Sequence, residues 1–82
     1  MKFYQIVTIK GNDEFTEWEG FDLETALEEK AKALNAFECL TAYDKKNSTL
    51  ECRVYNLPDN TDISDRDALI DAIVESAGYN NF

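Results

Sequence analysis

Histidine is absent from all 82 residues. That removes the commonest general base at neutral pH and the commonest transition-metal ligand. The three glycines, Gly11, Gly20 and Gly78, are isolated from one another, so no glycine-rich phosphate loop can be assembled. Ser48, Ser64 and Ser76 fall at a turn, a helix start and a helix end, and no serine–base–acid arrangement surrounds any of them. A single proline and no low-complexity linker leave no seam for a second domain. No apolar run comes near the ~18–20 residues of a bilayer-spanning helix. The segment MKFYQIVTIK is interrupted by Gln5 and Thr8 and lacks the apolar core and cleavage site of a signal peptide. The expectation is a cytoplasmic protein with one domain over residues 1–78 and a short tail over 79–82.

Cationic charge is scarce as well. Eight Lys and Arg face seventeen Asp and Glu, a net charge of −9 and a pI near 4.2. Such a chain repels nucleic acid and anionic membranes. The partner to expect is another protein, one with a basic surface.

What is present supports a folded domain. Five Phe, four Tyr and one Trp, within a hydrophobic content of 44%, argue against disorder. A chain this short buries only about 60–65% of its unfolded surface, so the core is small. Lys2–Lys10 is rich in β-branched and aromatic residues and reads as a strand. Gly11-Asn12-Asp13 supplies turn chemistry, and Phe15–Phe21 returns as a second strand. Asp22 is a good N-cap for a helix with Leu23, Leu27, Ala31 and Leu34 at core spacing. Glu38–Asp44 and Thr49–Leu57 read as a second hairpin around Asp44-Lys45-Lys46-Asn47. Its register pairs Leu40 with Cys52 and Cys39 with Arg53. The two cysteines then point to opposite faces and stay reduced, Cys52 in the core. Cys39, set among acids, lacks the surroundings of a reactive thiolate.

Ser64-Asp65-Arg66-Asp67 resembles a capping box. It opens a second helix with Ala68, Leu69, Ile70, Ala72, Ile73, Val74 and Ala77 as a buried stripe and Gly78 just past its end. Tyr79 or Phe82 can fold back from the tail onto the core. The order is β-β-α-β-β-α, which predicts an α+β two-layer sandwich: a four-stranded antiparallel sheet with two helices on one face.

Two acidic constellations invite a chemical reading and fail it. Asp59, Asp62, Asp65, Asp67 and Asp71 crowd together, but their spacing is wrong for an EF-hand loop, which also needs a central Gly and a terminal Glu. Glu17 and Glu19 share one strand face about 6.5–7 Å apart, within the range of glycosidase carboxylates. Any exposed strand with alternating Glu offers the same. No catalytic residue, metal or cofactor is expected.

Two features survive as candidate partner-binding surfaces. On the second helix Asp67, Asp71 and Glu75 recur at i, i+4 and i+8 with no Lys opposite. Like-charge pairs at that spacing cost about a few tenths of a kcal/mol each. The second feature is a surplus of aromatics. Tyr4, Phe15, Tyr43 and Tyr55 cannot all lie under the helices, so some should form an exposed aromatic sheet face that binds a partner or a second copy. The composition of a very small, acidic, histidine-free α+β chain resembles that of phage or mobile-element inhibitors of restriction and CRISPR nucleases. That resemblance involves no motif. It implies a DNA mimic occupying the groove of a nucleic-acid-binding protein. The leading expectation is a small non-enzymatic protein-interaction module, with the DNA-mimic inhibitor as the alternative and a small enzyme as a remote third.

Overall fold

A computed structural model describes residues 1–76 and 78–82. The first hairpin forms as expected from β1 (Lys2–Lys10) and β2 (Asp13–Gly20). Lys10 pairs with Asp13, so the loop is only Gly11-Asn12, with Gly11 at φ 61°. A positive φ at the first central residue is the arrangement that glycine permits in a tight hairpin. The register slips between Ile6–Trp18 and Val7–Thr16, leaving Glu17 as a bulge. The bulge brings Phe15 and Trp18, three residues apart, onto the same face, which simple alternation forbids.

Asp22 caps α1 (Leu23–Glu38), its carboxylate accepting from the Thr25 N–H at 3.1 Å and from the Thr25 hydroxyl at 2.6 Å. The expected strand over Glu38–Asp44 does not form. The chain turns at Cys39-Leu40 and re-enters a helix, α2 (Ala42–Asn47). Thr41 Oγ1 accepts from the Asp44 N–H at 3.2 Å, and its hydroxyl lies 3.1 Å from the Asp44 carboxylate. Thr41-Ala42-Tyr43-Asp44 is thus the start of a helix, and local capping outweighs the apolar alternation that suggested a strand.

The next strand, β3 (Ser48–Asn56), therefore has no hairpin partner before it and pairs antiparallel with β1, Phe3 opposite Tyr55 and Ile6 opposite Cys52. After α3 (Arg66–Glu75), the short β4 (Asn80–Asn81) pairs with β3, so the tail is part of the sheet. The sheet order is β2-β1-β3-β4, all antiparallel. The α+β class and the four-stranded antiparallel sheet hold, whereas the element order is β-β-α-α-β-α-β. The most apolar strand, β1, takes a central place. The acid-rich, bulged β2 takes an edge, where charge and a bulge deter pairing with other chains.

The two long helices lie on opposite faces, not on one. Alternation along β1 sends Phe3, Gln5 and Val7 one way and Tyr4, Ile6 and Thr8 the other. Phe3 joins Tyr55, Leu57 and Leu69 of α3 in the buried cluster, with Ala72 and Ile73 packed against it. Ile6 and Thr8 instead face α1 across a cleft that Ala33 and Ala36 also line. α3 is capped by Asp65, one residue later than expected, through the Asp67 and Ala68 N–H groups. Its last turn closes on Ser76, whose hydroxyl donates to the Ile73 carbonyl at 2.6 Å. Gly78 takes φ 101° beyond that end, and Ala77 lies outside the described residues.

α1 reverses its expected orientation. Ala26 is fully buried and Ala33 and Phe37 partly so, while Leu23, Leu27 and Leu34 remain 49%, 49% and 45% exposed. The sheet supplies the bulk on this side. The Trp18 ring lies against Gly20, where a Cβ would approach it to 2.7 Å, and Phe82 packs edge-on to Tyr4 with ring centroids 5.2 Å apart. Between such residues a helix packs densely by offering its small side chains.

Candidate interaction surfaces

The four aromatics do not form one exposed sheet face, because a helix packs against each side of the sheet. Tyr4 is buried beside Phe82, and Tyr55 is buried between Phe3 and Tyr79. Phe15 and Tyr43 do remain exposed, Tyr43 at 76% on α2, but on separate elements. The structure thus disperses the four aromatics, two into the core and two onto different surfaces.

The acidic stripe keeps its predicted form. Asp67, Asp71 and Glu75 all lie on the exposed side of α3, and none forms an ion pair among the described residues. The exposed Ile70 and Val74 run alongside. Arg66, the only cation on this helix, reaches instead to Glu19.

Several of the other acids are occupied. Glu14 and Glu51 hold the buried Arg53 guanidinium at 2.9 and 2.6 Å, Tyr79 donates to Glu51 at 2.9 Å, and its ring covers Arg53 at 4.5 Å. Burial opposes the charge on Arg53, but its hydrogen bonds to Glu14 and Glu51 outweigh that and hold it above the ordinary arginine value. The Arg53 and Tyr79 hydrogen bonds hold the Glu51 carboxyl below its usual range. Asp62 accepts from the Ser64 hydroxyl and N–H, which lowers its carboxyl, and Asp59 is lowered by the N-terminal ammonium at 2.7 Å. Among the described residues no three Cys, Asp or Glu side chains converge on a position fit for a metal. Glu17 and Glu19 do not share a face. The bulge turns Glu17 to the α1 side, whereas Glu19 meets Gln5 and Arg66 on the α3 side. Cys39 and Cys52 are both free, and burial raises the Cys52 thiol. Among the described residues no helix is long and apolar enough to cross a membrane.

The surface that sequence reasoning missed is a cleft of about 730 Å³ between the first hairpin and the C-terminal half of α1. Trp18, Phe15, Phe37, Leu40 and Leu50 line it, with the buried Ile6 beneath them and Lys10, Glu17, Glu29 and Lys32 bringing the charge. Lys32 and Glu29 pair with each other at 3.2 Å. Ala33 and Ala36 leave the space open, because no large side chain of α1 projects into it there. A faint signal for this was available, since Ala26, Ala33 and Phe37 form an alternative helical stripe beside the leucines.

Comparison with protein-family models, curated proteins and solved structures finds no match to this chain.

Proposed function

We propose that the protein is a small, non-enzymatic interaction module of the cytoplasm that binds another protein in the cleft between α1 and the first hairpin. The observation that carries this reading is the cleft's lining by four large apolar side chains, Phe15, Phe37, Leu40 and Leu50. Its volume falls in the range of binding pockets, about 300–1,000 Å³. An open apolar trough beside a helix suits one face of an amphipathic segment. The net charge of −9 favours a partner with basic surroundings and speeds its approach. The two free cysteines suit a reducing compartment. A photo-reactive residue replacing Phe15 should crosslink a partner in the cell of origin, while the same residue replacing the exposed Ile63 should not. Equal crosslinking from both positions would remove the cleft from the reading.

A second reading, the DNA-mimic inhibitor, is favoured by Asp67, Asp71 and Glu75, which are exposed and form no ion pair among the described residues. One charge per ~6 Å along a helix is sparse beside the charge of duplex DNA, so other acids would have to contribute. Here the target should be displaced by duplex DNA, with affinity falling steeply as salt rises. Reversal to Lys at all three positions should abolish mimicry and leave cleft binding in place.

A further inference from the structure

We propose that the segment Tyr79–Phe82 is a two-footed strap that holds α1 toward β3 and so keeps the cleft on the other flank of that helix open. The inference concerns the regulation of the cleft, and for its effect on a partner it rests on the cleft reading.

An apolar trough in water tends to close, because closing removes apolar surface from solvent. Ala33 and Ala36 are small enough to let α1 settle toward Phe15 and Trp18, so an open cleft needs something to hold the helix off. α1 itself grips the sheet weakly, with Ala26 its one fully buried residue. Among the described residues a single side-chain hydrogen bond joins α1 to the sheet: Lys30 Nζ donates to the Phe82 carbonyl at 2.5 Å. The same ammonium lies 5.5 Å from the centroid of the Phe82 ring. Lys30 and Leu34 line a hollow on the β3 flank of α1 with Cys52 and Phe82, whereas Glu29, Lys32, Ala33 and Ala36 line the cleft on the β2 flank. The Lys30 tether therefore draws α1 away from the cleft.

The strap has two feet because of its spacing. Side chains three apart in an extended segment point to opposite sides, and Tyr79 and Phe82 take opposite faces of the sheet. On the α3 side the Tyr79 ring covers Arg53 at 4.5 Å and its hydroxyl donates to Glu51 at 2.9 Å. On the α1 side Phe82 packs against Tyr4, with ring centroids 5.2 Å apart, and its N–H donates to the Cys52 carbonyl at 3.1 Å. Between the feet only Asn80 and Asn81 pair with β3, and both are exposed. A short, exposed run of pairing opens locally at low cost, so docking depends on the two aromatic anchors together. Cys52 reports on it. The thiol lies on the α1 face, since Cys52 pairs with Ile6, and it shares its hollow with Phe82.

Two signals test the proposal without any other protein. Labelling of Cys52 by an aromatic disulfide reagent reads release, in a Cys39→Ser background because Cys39 is exposed. Acrylamide quenching of Trp18, the sole tryptophan and a lining residue of the cleft, reads where α1 rests. Tyr79→Phe keeps the ring and removes the hydrogen bond to Glu51. It should raise the labelling rate about tenfold, the order expected for one hydrogen bond to a charged group, although Tyr79 and Cys52 lie on opposite faces. Phe82→Ala should raise the rate further. Lys30→Met cuts the tether alone, and there Trp18 should become less quenched and its emission shift to the blue as α1 settles over the ring. Tyr79→Phe should move Trp18 in the same direction, with circular dichroism unchanged in both variants. Labelling of Tyr79→Phe at the wild-type rate would overturn the proposal, as would Trp18 quenching that is unchanged or stronger in Lys30→Met. A Phe15 position that crosslinks no partner would remove the cleft reading and leave the strap's hold on α1 in place.

Discussion

On one side of the sheet the ten-residue α3 turns Leu69 into a cluster with Phe3, Tyr55 and Leu57. On the other, the sixteen-residue α1 buries only Ala26 completely. The longer helix therefore contributes less apolar burial per residue. A buried leucine is worth about 1.5–3 kcal/mol and a methyl group about 0.8. Length of helix is a poor guide to what holds a small sheet together; the identity of the inward residues decides. It also decides where surface is left for others. The α3 side closes Leu69 into its core and leaves Ile70 and Val74 outside, whereas the α1 side retains an apolar cleft and an outward leucine stripe.

The sharpest way to break this contrast is to truncate one leucine on each helix. Leu69→Ala should cost about 2–5 kcal/mol through lost burial and a cavity, while Leu27→Ala should cost under about 1 kcal/mol. Both are read from urea unfolding at concentrations low enough to exclude self-association. Equal losses would mean that α1 is held as tightly as α3.

Next in size is Gly20→Ala on the α1 side. The new methyl would sit 2.7 Å from the Trp18 ring, so the ring must swing toward the cleft, at about 1–3 kcal/mol. Trp18 is the sole tryptophan, and its emission should shift with the move. Unchanged emission would place the ring elsewhere.

The helix caps offer a smaller and symmetrical comparison. Asp22→Ala on α1 and Asp65→Ala on α3 should each cost ~1 kcal/mol. The Asp22 carboxyl is lowered by its hydrogen bonds to the Thr25 hydroxyl and N–H. A carboxyl lower in the folded than in the unfolded state adds stability in full above its unfolded value, about 3.9. That contribution is lost as pH falls through the lowered folded value. Asp22→Asn keeps the cap and should flatten that part of the acid limb in a thermal-melt series from pH 6 to pH 2.

Smallest of all is the α3 stripe. Asp71→Lys should stabilise by a few tenths of a kcal/mol at low salt (about 0.2–0.5) by ending repulsion with Asp67 and Glu75, with the gain fading at 0.5 M salt. A loss of stability would mean that Asp71 has a partner within the fold.

Much of the fold was legible because its signals are local. Gly11-Asn12 marked the first turn, Asp22 the first cap, and the β-branched and aromatic run Lys2–Lys10 the first strand. The stripe Asp67, Asp71 and Glu75 was equally readable, because on an exposed helix the spacing alone sets the face. Glu38–Asp44 was misread because a short alternating run suits a strand as well as a helix, and the Thr41–Asp44 cap outweighed it. The cleft left only the stripe Ala26, Ala33 and Phe37 as a trace. It depends on the bulge at Glu17 placing Phe15 beside Trp18, and a bulge leaves no mark in the residues that flank it.

The sequence by itself determined the class of the fold, the first helix cap and the acidic surface. Those follow from residue type and near-neighbour spacing. Only the tertiary structure decided which strand pairs with β3, which face each helix covers and which stripe of α1 turns inward. These depend on volume. Trp18, Tyr4 and Phe82 supply bulk on this side of the sheet, and the helix turns Ala26 inward and leaves its leucines out.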